Sequence, residues 1–581
     1  MRSIVGRFSW LLVTVTLALL LAQPTFVAAA GNPLCPGEDV FFNPGNGEDI
    51  VVPQGFKVSV FKSGLNFPTA VAFRGNSRRF EVFVLESGHG LPSRCNDETS
   101  AIVGGEFSPT NPFTPDILVF NENGVRIRGP LAKPTATGGG LLPHGPAVDI
   151  AFEKGFQGGR LFATDSNQAI RSQVPGVQNN SSRIVIVNPE NGQVTPFITR
   201  LPTGDHPAEQ IAFKGDWIYW SQGSTTNSGV VGRDNGGGAN QPDIPCQDIV
   251  LSDNLFDSGG GIKTSGYSPF GVDNRGKTIK AFTGAEHHGV CDGAILRARL
   301  DARNPENTIE PFSWGYRNPY GIRFAPNDHA LKGGLFVTEN GEDERGARPT
   351  NNAPDRLHLA QQNPNGSPDF HGWPDRFGFL DSTQAVFNPV GGPGDDNQAA
   401  AVGKPVQPVL AFPPQPITVP LALEPANVAI VGLDFVPNSF VHGPVKRGAA
   451  LAGREGDFGF SKANGTPEEG HDVQLINFSK PGEPLKLTLQ RFAFNKTFEQ
   501  AFVSQIRGIN RPVDLKFGPD DCAYLVDYGA VRDFGQSDPD SKFKVDADGP
   551  LVQIPGTGVI WKICGPGGPE REKDREKERE D

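Results

Sequence analysis

The chain has 581 residues, a formal net charge of −12, 72 Gly, 52 Pro and a single Met. Its length admits several ordinary domains, but this Gly and Pro content, with no sustained helical period, describes one loop-rich all-β body. The acidic balance argues against nucleic acid or an anionic membrane surface as partner, because either calls for a basic stripe.

In chain order, the first element is an export signal over Met1–Ala30. Arg2 and Arg7 form its basic end, Trp10–Ala22 its apolar core, and Ala28-Ala29-Ala30 a cleavage site before Gly31. The apolar run is shorter than the roughly 20 residues that span a bilayer, and no later run approaches that length, so the expectation is a secreted or periplasmic protein without a membrane span.

From there a short phrase returns six times: a Pro or Gly, an alternating apolar strand ending in Phe, a turn, and a second strand leading into small polar or acidic residues. The copies are Phe67–Ser87, Pro146–Asp165, Pro207–Ser224, Asn318–Gly341, Ile430–Glu455 and Arg511–Gly529. One such strand pair cannot bury its apolar face alone, so repetition implies radial stacking and a six-bladed β-propeller, with function at one mouth of its channel. The copies are unevenly spaced. The excess goes into loops, with Ser224–Ala281 and Glu342–Val390 as the largest insertions, expected to roof that mouth.

Six cysteines make an even set suited to an oxidising compartment, and none forms a CxxC pair. Sequential pairing is the expectation, with Cys246–Cys291 stapling a long insertion and Cys522–Cys564 pinning the C-terminal strand. Sequons at Asn179, Asn180, Asn464, Asn477 and Asn495 imply exposed loops where the source glycosylates. The body ends at Cys564. The tail from Gly565 to Asp581 mixes both charge signs without apolar residues from Glu570 onward and reads as solvated chain.

Histidine is the natural general base near neutral pH. His144 and His206 precede the first strand of their repeats at matching positions, so both could face the channel mouth. Asp205 stands beside His206. The adjacent His287 and His288 would point to opposite faces of an extended segment, which does not suit a metal pair. Arg317, Lys446, Arg447 and Arg511 place cations at several repeats and suggest an anionic ligand. The segment Thr338–Arg356 is rich in acids, Asn and Gly; it could ligate Ca²⁺ or be a plain acidic loop. No HExxH, GxSxG or P-loop supports hydrolysis by those routes.

The run Arg317-Asn318-Pro319-Tyr320-Gly321-Ile322-Arg323-Phe324, followed by Gly333–Gly341 (GGLFVTENG) and by His371-Gly372-Trp373-Pro374, resembles the glucose/sorbosone dehydrogenase family over about Val51 to Ile563. The resemblance implies a secreted six-bladed propeller that uses pyrroloquinoline quinone (PQQ) and Ca²⁺ to oxidise a sugar or sugar-derived aldehyde, with electrons passing to an external acceptor. It further implies His206 as the base, Arg317, Asn318, Lys446 and Arg511 as quinone-binding residues, and Gly341 and Glu342 as carbonyl ligands of Ca²⁺. Two positions depart from the family pattern. His144 replaces a glutamine of the second-repeat mouth, where it would still face the cofactor, and Val513 replaces a second arginine. If residues two apart share a face, Val513 points with Arg511, and Val513→Arg would restore the missing cation. The competing expectations are a non-catalytic propeller that binds a glycan or protein at the mouth, and a Ca²⁺-dependent lactone hydrolase.

Overall fold

A computed structural model describes residues 40–88, 112–135, 137–143, 145–167, 181–232, 241–259, 261–343, 346–350, 353–381, 386–387, 404–457, 469–533 and 551–566. Six sheets of four or five strands, antiparallel except where Glu310–Trp314 pairs in parallel with Asp369–Phe370, form the blades of a β-propeller. Among the described residues there is one short α-helix, Ala501–Ser504.

Each repeated phrase is the inner hairpin of one blade. The inner strands are Pro68–Asn76, Ala147–Phe152, Ala208–Lys214, Ile322–Phe324, Ile430–Phe435 and Pro512–Phe517. Their apolar side chains fill clusters between neighbouring blades, as where Phe73, Val82 and Phe120 of the first blade meet Tyr524, Val526 and Ile560 of the sixth. The sixth blade is completed by the N-terminal strand Lys57–Leu65, which pairs with Gly558–Cys564 and closes the ring. Closure across the termini removes an open sheet edge.

The Cys522–Cys564 disulfide lies within that closing blade, and Cys246–Cys291 bridges the insertion of the third blade, as expected from the sequence. Cys35, Cys95 and the segment expected to be an export signal lie outside the described residues. Among the described residues no helix is long and apolar enough to cross a membrane. Two sequons are not exposed loops. Asn477 and Asn495 are buried in strands, where their amide nitrogens donate to Pro444 O at 3.1 Å and to Glu499 O and Ile509 O at 2.7 Å.

The middle of the channel is closed by charge pairing. Lys516 Nζ donates to Asp149 Oδ1 at 2.5 Å and lies 3.4 Å from Asp514 Oδ2, and Gln210 Nε2 donates to Asp514 Oδ1 at 2.8 Å. Gly432 makes room for this plug: a Cβ there would stand 2.2 Å from Asp514 Oδ1. A break in ladder register recurs near the start of the inner hairpin in five blades. Such bulges re-aim side chains, so Glu209 and Gln210, adjacent in one strand, serve the mouth and the middle of the channel respectively.

Candidate functional site at the channel mouth

The residues heading the inner strands and those following the second strands lie at the same end of the blades. In the third blade, the backbone of Asp205 and His206 continues the inner hairpin by pairing with Thr225 O and Ser224 O at 2.9 and 3.0 Å. Gly223 is required there, because a Cβ would come 2.2 Å from the Cβ of His206. Ser224 N donates to Arg317 O at 2.8 Å, which ties this blade to the head of the fourth.

His206 lies between two carboxyl groups. Its Nε2 is 3.4 Å from Asp205 Oδ2, and its Nδ1 is 3.7 Å from Glu209 Oε1. Asp205 is itself held by Arg317 Nη2 at 3.0 Å. Arg317 also donates to Asp343 Oδ2 at 2.7 Å and to Gly341 O at 2.7 Å, while Glu339 Oε1 accepts from its backbone N–H. The guanidinium thus gathers the third blade and the loop after the second strand of the fourth around the base. Asn318 donates to Asn340 Oδ1 at 2.9 Å. Arg317 Nε and Asn318 Oδ1 are buried without hydrogen-bond partners among the described residues.

Arg511, nearly 200 residues further along, is on the same face. Its guanidinium donates to Gly456 O and Asp457 O at 2.9 and 3.0 Å, just beyond the second strand of the fifth blade. Glu455 stands beside it. Burial pushes this carboxyl up to about 7 against the pull of Arg511. Burial likewise raises Glu209 well above the usual carboxylate range, opposed by Arg317 and reinforced by Glu455. Arg317 with Glu209 and Arg511 with Glu455 therefore form two cation–carboxyl pairs at the mouth, whose carboxyl groups act on each other.

Lys446 does not join it. The fifth-blade hairpin pairs Ile430 with Arg454 at the mouth end and Phe435 with Ala450 at the other, and Lys446 lies beyond the latter, exposed, its backbone N–H bonded to Asn477 Oδ1. Val513 does not point with Arg511 either. The register break between Pro512 and Asp514 turns it into the apolar cluster between the sixth and first blades. His144 lies outside the described residues.

The described acids of Thr338–Arg356 pair within the protein, with Glu342 Oε1 left buried without a hydrogen-bond partner among the described residues. Glu342 accepts from Arg356 Nη2 at 2.9 Å, Asp343 pairs with Arg317, and Asp355 accepts from the N–H groups of Gly341 and Ile430 at 2.8 and 3.0 Å. Behind them runs a buried chain in which Glu339 meets Arg356 at 3.0 Å and His358 at 2.7 Å, His358 meets His371 at 3.1 Å, and His371 meets Asp369 at 2.9 Å. Arg356 and His358 help hold Glu339 near about 2 despite its burial, whereas burial holds His358 down at about 4. No group of three or more His, Cys, Asp or Glu among the described residues is arranged to hold a metal. His287 Nε2 donates to Thr199 O, and His288 packs on Phe282, so those rings serve different surroundings.

The two long insertions interlock beside the mouth. Asn227 and Asp343 exchange backbone and side-chain bonds at 2.9 and 3.0 Å, and Arg348 donates to Ser228 O at 3.1 Å and to Asp375 Oδ1 at 2.6 Å. Glu209 and Glu455 went unremarked in the sequence. Their signal was positional: Glu209 follows His206 by three residues, and Glu455 ends the fifth repeated phrase.

No family model matches the sequence, and no curated protein matches it. Among solved structures, the chain is similar to a calcium structure of a Trichoderma reesei carbohydrate-active enzyme of family AA12. Identity is 14%, the alignment covers 89% of this chain and 97% of that one, and the TM-score is 0.47. It is also similar to the PQQ domain of pyranose dehydrogenase from Coprinopsis cinerea, at 14% identity, 88% and 97% coverage and a TM-score of 0.45. Identities this low and TM-scores below 0.5 assign no activity to this chain.

Proposed function

We propose that the protein is an exported quinoprotein dehydrogenase that oxidises a sugar or sugar-derived aldehyde by hydride transfer to PQQ, with Ca²⁺ and an external electron acceptor. The observation that carries this reading is His206, held at the channel mouth between Asp205, which Arg317 locks in place, and Glu209. The residues present fit a planar, oxygen-rich anion along one arc. Arg317 and Arg511 share the mouth, and Arg317 Nε is a buried donor without a hydrogen-bond partner among the described residues, while Asn318 Oδ1 is an acceptor that would take an N–H or O–H of the ligand. Arg317, Asn318 and Arg511 would hold the quinone, and the carbonyl of Glu342, with that of Gly341 through the lone pair its bond to Arg317 leaves, would face Ca²⁺; Lys446 and Val513 take no part. The bound quinone supplies a two-electron acceptor for hydride.

The chain's own residues supply the proton chemistry. Asp205 beside Nε2 favours the tautomer that carries its proton there, leaving the Nδ1 lone pair on the Glu209 side. His206 Nδ1 then removes the substrate hydroxyl proton. The plugged channel below and the interlocked insertions beside the mouth exclude water from one side of the ligand.

Purified protein with Ca²⁺ and added PQQ should acquire a bound-quinone absorbance and reduce a dye with aldoses. If the folded protein takes up no quinone and turns over no aldose, the reading falls and a ligand-binding propeller takes its place.

A further inference from the structure

Glu209 is 2% exposed, its Oε1 lies 3.7 Å from His206 Nδ1, and its Oε2 is buried with no hydrogen-bond partner among the described residues. The register break between Ala208 and Ile211 aims it there. A buried carboxyl oxygen without a partner, beside the base, marks a hydrogen-bonding demand that a ligand can meet.

We propose that Glu209 is a second substrate-contacting group, a carboxylic acid that holds the reacting alcohol or hemiacetal hydroxyl of a polyhydroxylated ligand against His206. The inference rests on the sugar-oxidation reading and adds to it the group that receives the hydroxyl oxygen. An oxygen about 2.8 Å from both Nδ1 and Oε1 fits at the apex of a triangle over their 3.7 Å edge, beside the unpartnered Oε2 of the same carboxyl. The hydroxyl donates to Nδ1, and the Glu209 O–H donates to the hydroxyl oxygen. As the substrate O–H bond breaks, its proton passes to His206 Nδ1. The hydride leaves the same carbon for the quinone that the proposed function supplies, and the oxygen's electron pair closes the C=O bond. Glu209 keeps its proton and stabilises the negative charge that develops on that oxygen. Burial, opposed by Arg317 and reinforced by Glu455, raises this carboxyl well above the usual carboxylate range and so favours its protonated form. The Tyr320 hydroxyl has its pKa raised first by burial and then by Glu209, Asp514, Glu455 and Asp149, so it lies between the mouth and the middle of the channel.

Glu209→Gln keeps a donor of similar shape, and Glu209→Leu removes it. With d-glucose and d-galactose as probes, Glu209→Gln should hold KM within about threefold of wild type, and Glu209→Leu should raise it about tenfold, the loss of one buried hydrogen bond. PQQ uptake, read by absorbance, should be unchanged in both. The alkaline decline of kcat/KM should vanish in Glu209→Gln, which carries no titrating proton; a packing role would not move that limb. Wild-type KM in folded Glu209→Leu, or equal impairment of both variants, overturns the inference. If wild type takes up no PQQ, the quinoprotein reading fails separately, and saturation-transfer NMR of the same sugars decides: binding lost in Glu209→Leu and kept in Glu209→Gln supports the inference, while equal binding or none overturns it.

Discussion

The middle of the channel and its mouth are built from the same residue types and do opposite work. In the middle, Lys516, Asp149, Asp514 and Gln210 pair with one another across blades, so the charges lock the ring; Asp514 Oδ2 makes no hydrogen bond among the described residues but stays 3.4 Å from the Lys516 ammonium that neutralises it. At the mouth, Arg317 and Asp205 bind each other while Glu209 Oε2, Arg317 Nε and Asn318 Oδ1 stay unmatched among the described residues. A propeller can bury charge for stability where the pairing closes, and expose chemistry one strand residue away where it does not.

The comparison is sharpened most by His206→Ala, which should lower aldose turnover by about 10²–10⁴-fold, the usual worth of a general base, while leaving the melting temperature unchanged. Near-normal turnover in the folded variant would reduce His206 to a turn residue. Lys516→Met should do the reverse. It leaves Asp149 and Asp514 buried without their cation, a loss of about 3–5 kcal/mol in denaturant stability, with activity per folded molecule retained.

The buried histidine chain offers a pH test. His358 has its pKa lowered to about 4 from an ordinary 6.5, by burial first and against the bond to Glu339. A base whose folded pKa is depressed contributes stability in full above 6.5 and loses it as pH falls through 4, at most about 3 kcal/mol by linkage. Urea midpoints at pH 7 and pH 4 should therefore diverge more in wild type than in His358→Gln; parallel declines would show that this ring does not drive the slope.

Gly223→Ala should shift His206 by the width of a methyl group and cut turnover about 10²-fold with little change in fold. Circular dichroism with kinetics separates this from unfolding. The smallest effect belongs to Lys446→Ala. Since Lys446 is exposed at the far end of its blade, quinone uptake and turnover should change by less than about twofold, and a larger loss would contradict the placement of the site at the Arg317 mouth.

What the sequence determined by itself was everything that repeats. Six strand–turn–strand phrases defined six inner hairpins because alternating apolar residues must be buried by stacking, and cysteine spacing foresaw both disulfides of the described residues. His206, Arg317 and Arg511 share a mouth because each heads an inner strand, a position readable from the repeat. Tertiary structure alone decided which charges stay open. Lys446 falls at the far end because it lies in the turn between its strands, whereas Arg511 precedes one. Val513 turns into the core because a bulge interrupts the strict alternation on which its orientation was inferred. The acids of Thr338–Arg356 look like cation ligands in one dimension, yet among the described ones Arg317, Arg356, His358 and two backbone N–H groups pair with Glu339, Glu342, Asp343 and Asp355, leaving one buried oxygen of Glu342 without a hydrogen bond. Glu209 gains its place beside His206 from the same kind of bulge, a departure from period two that no pattern of apolar residues records.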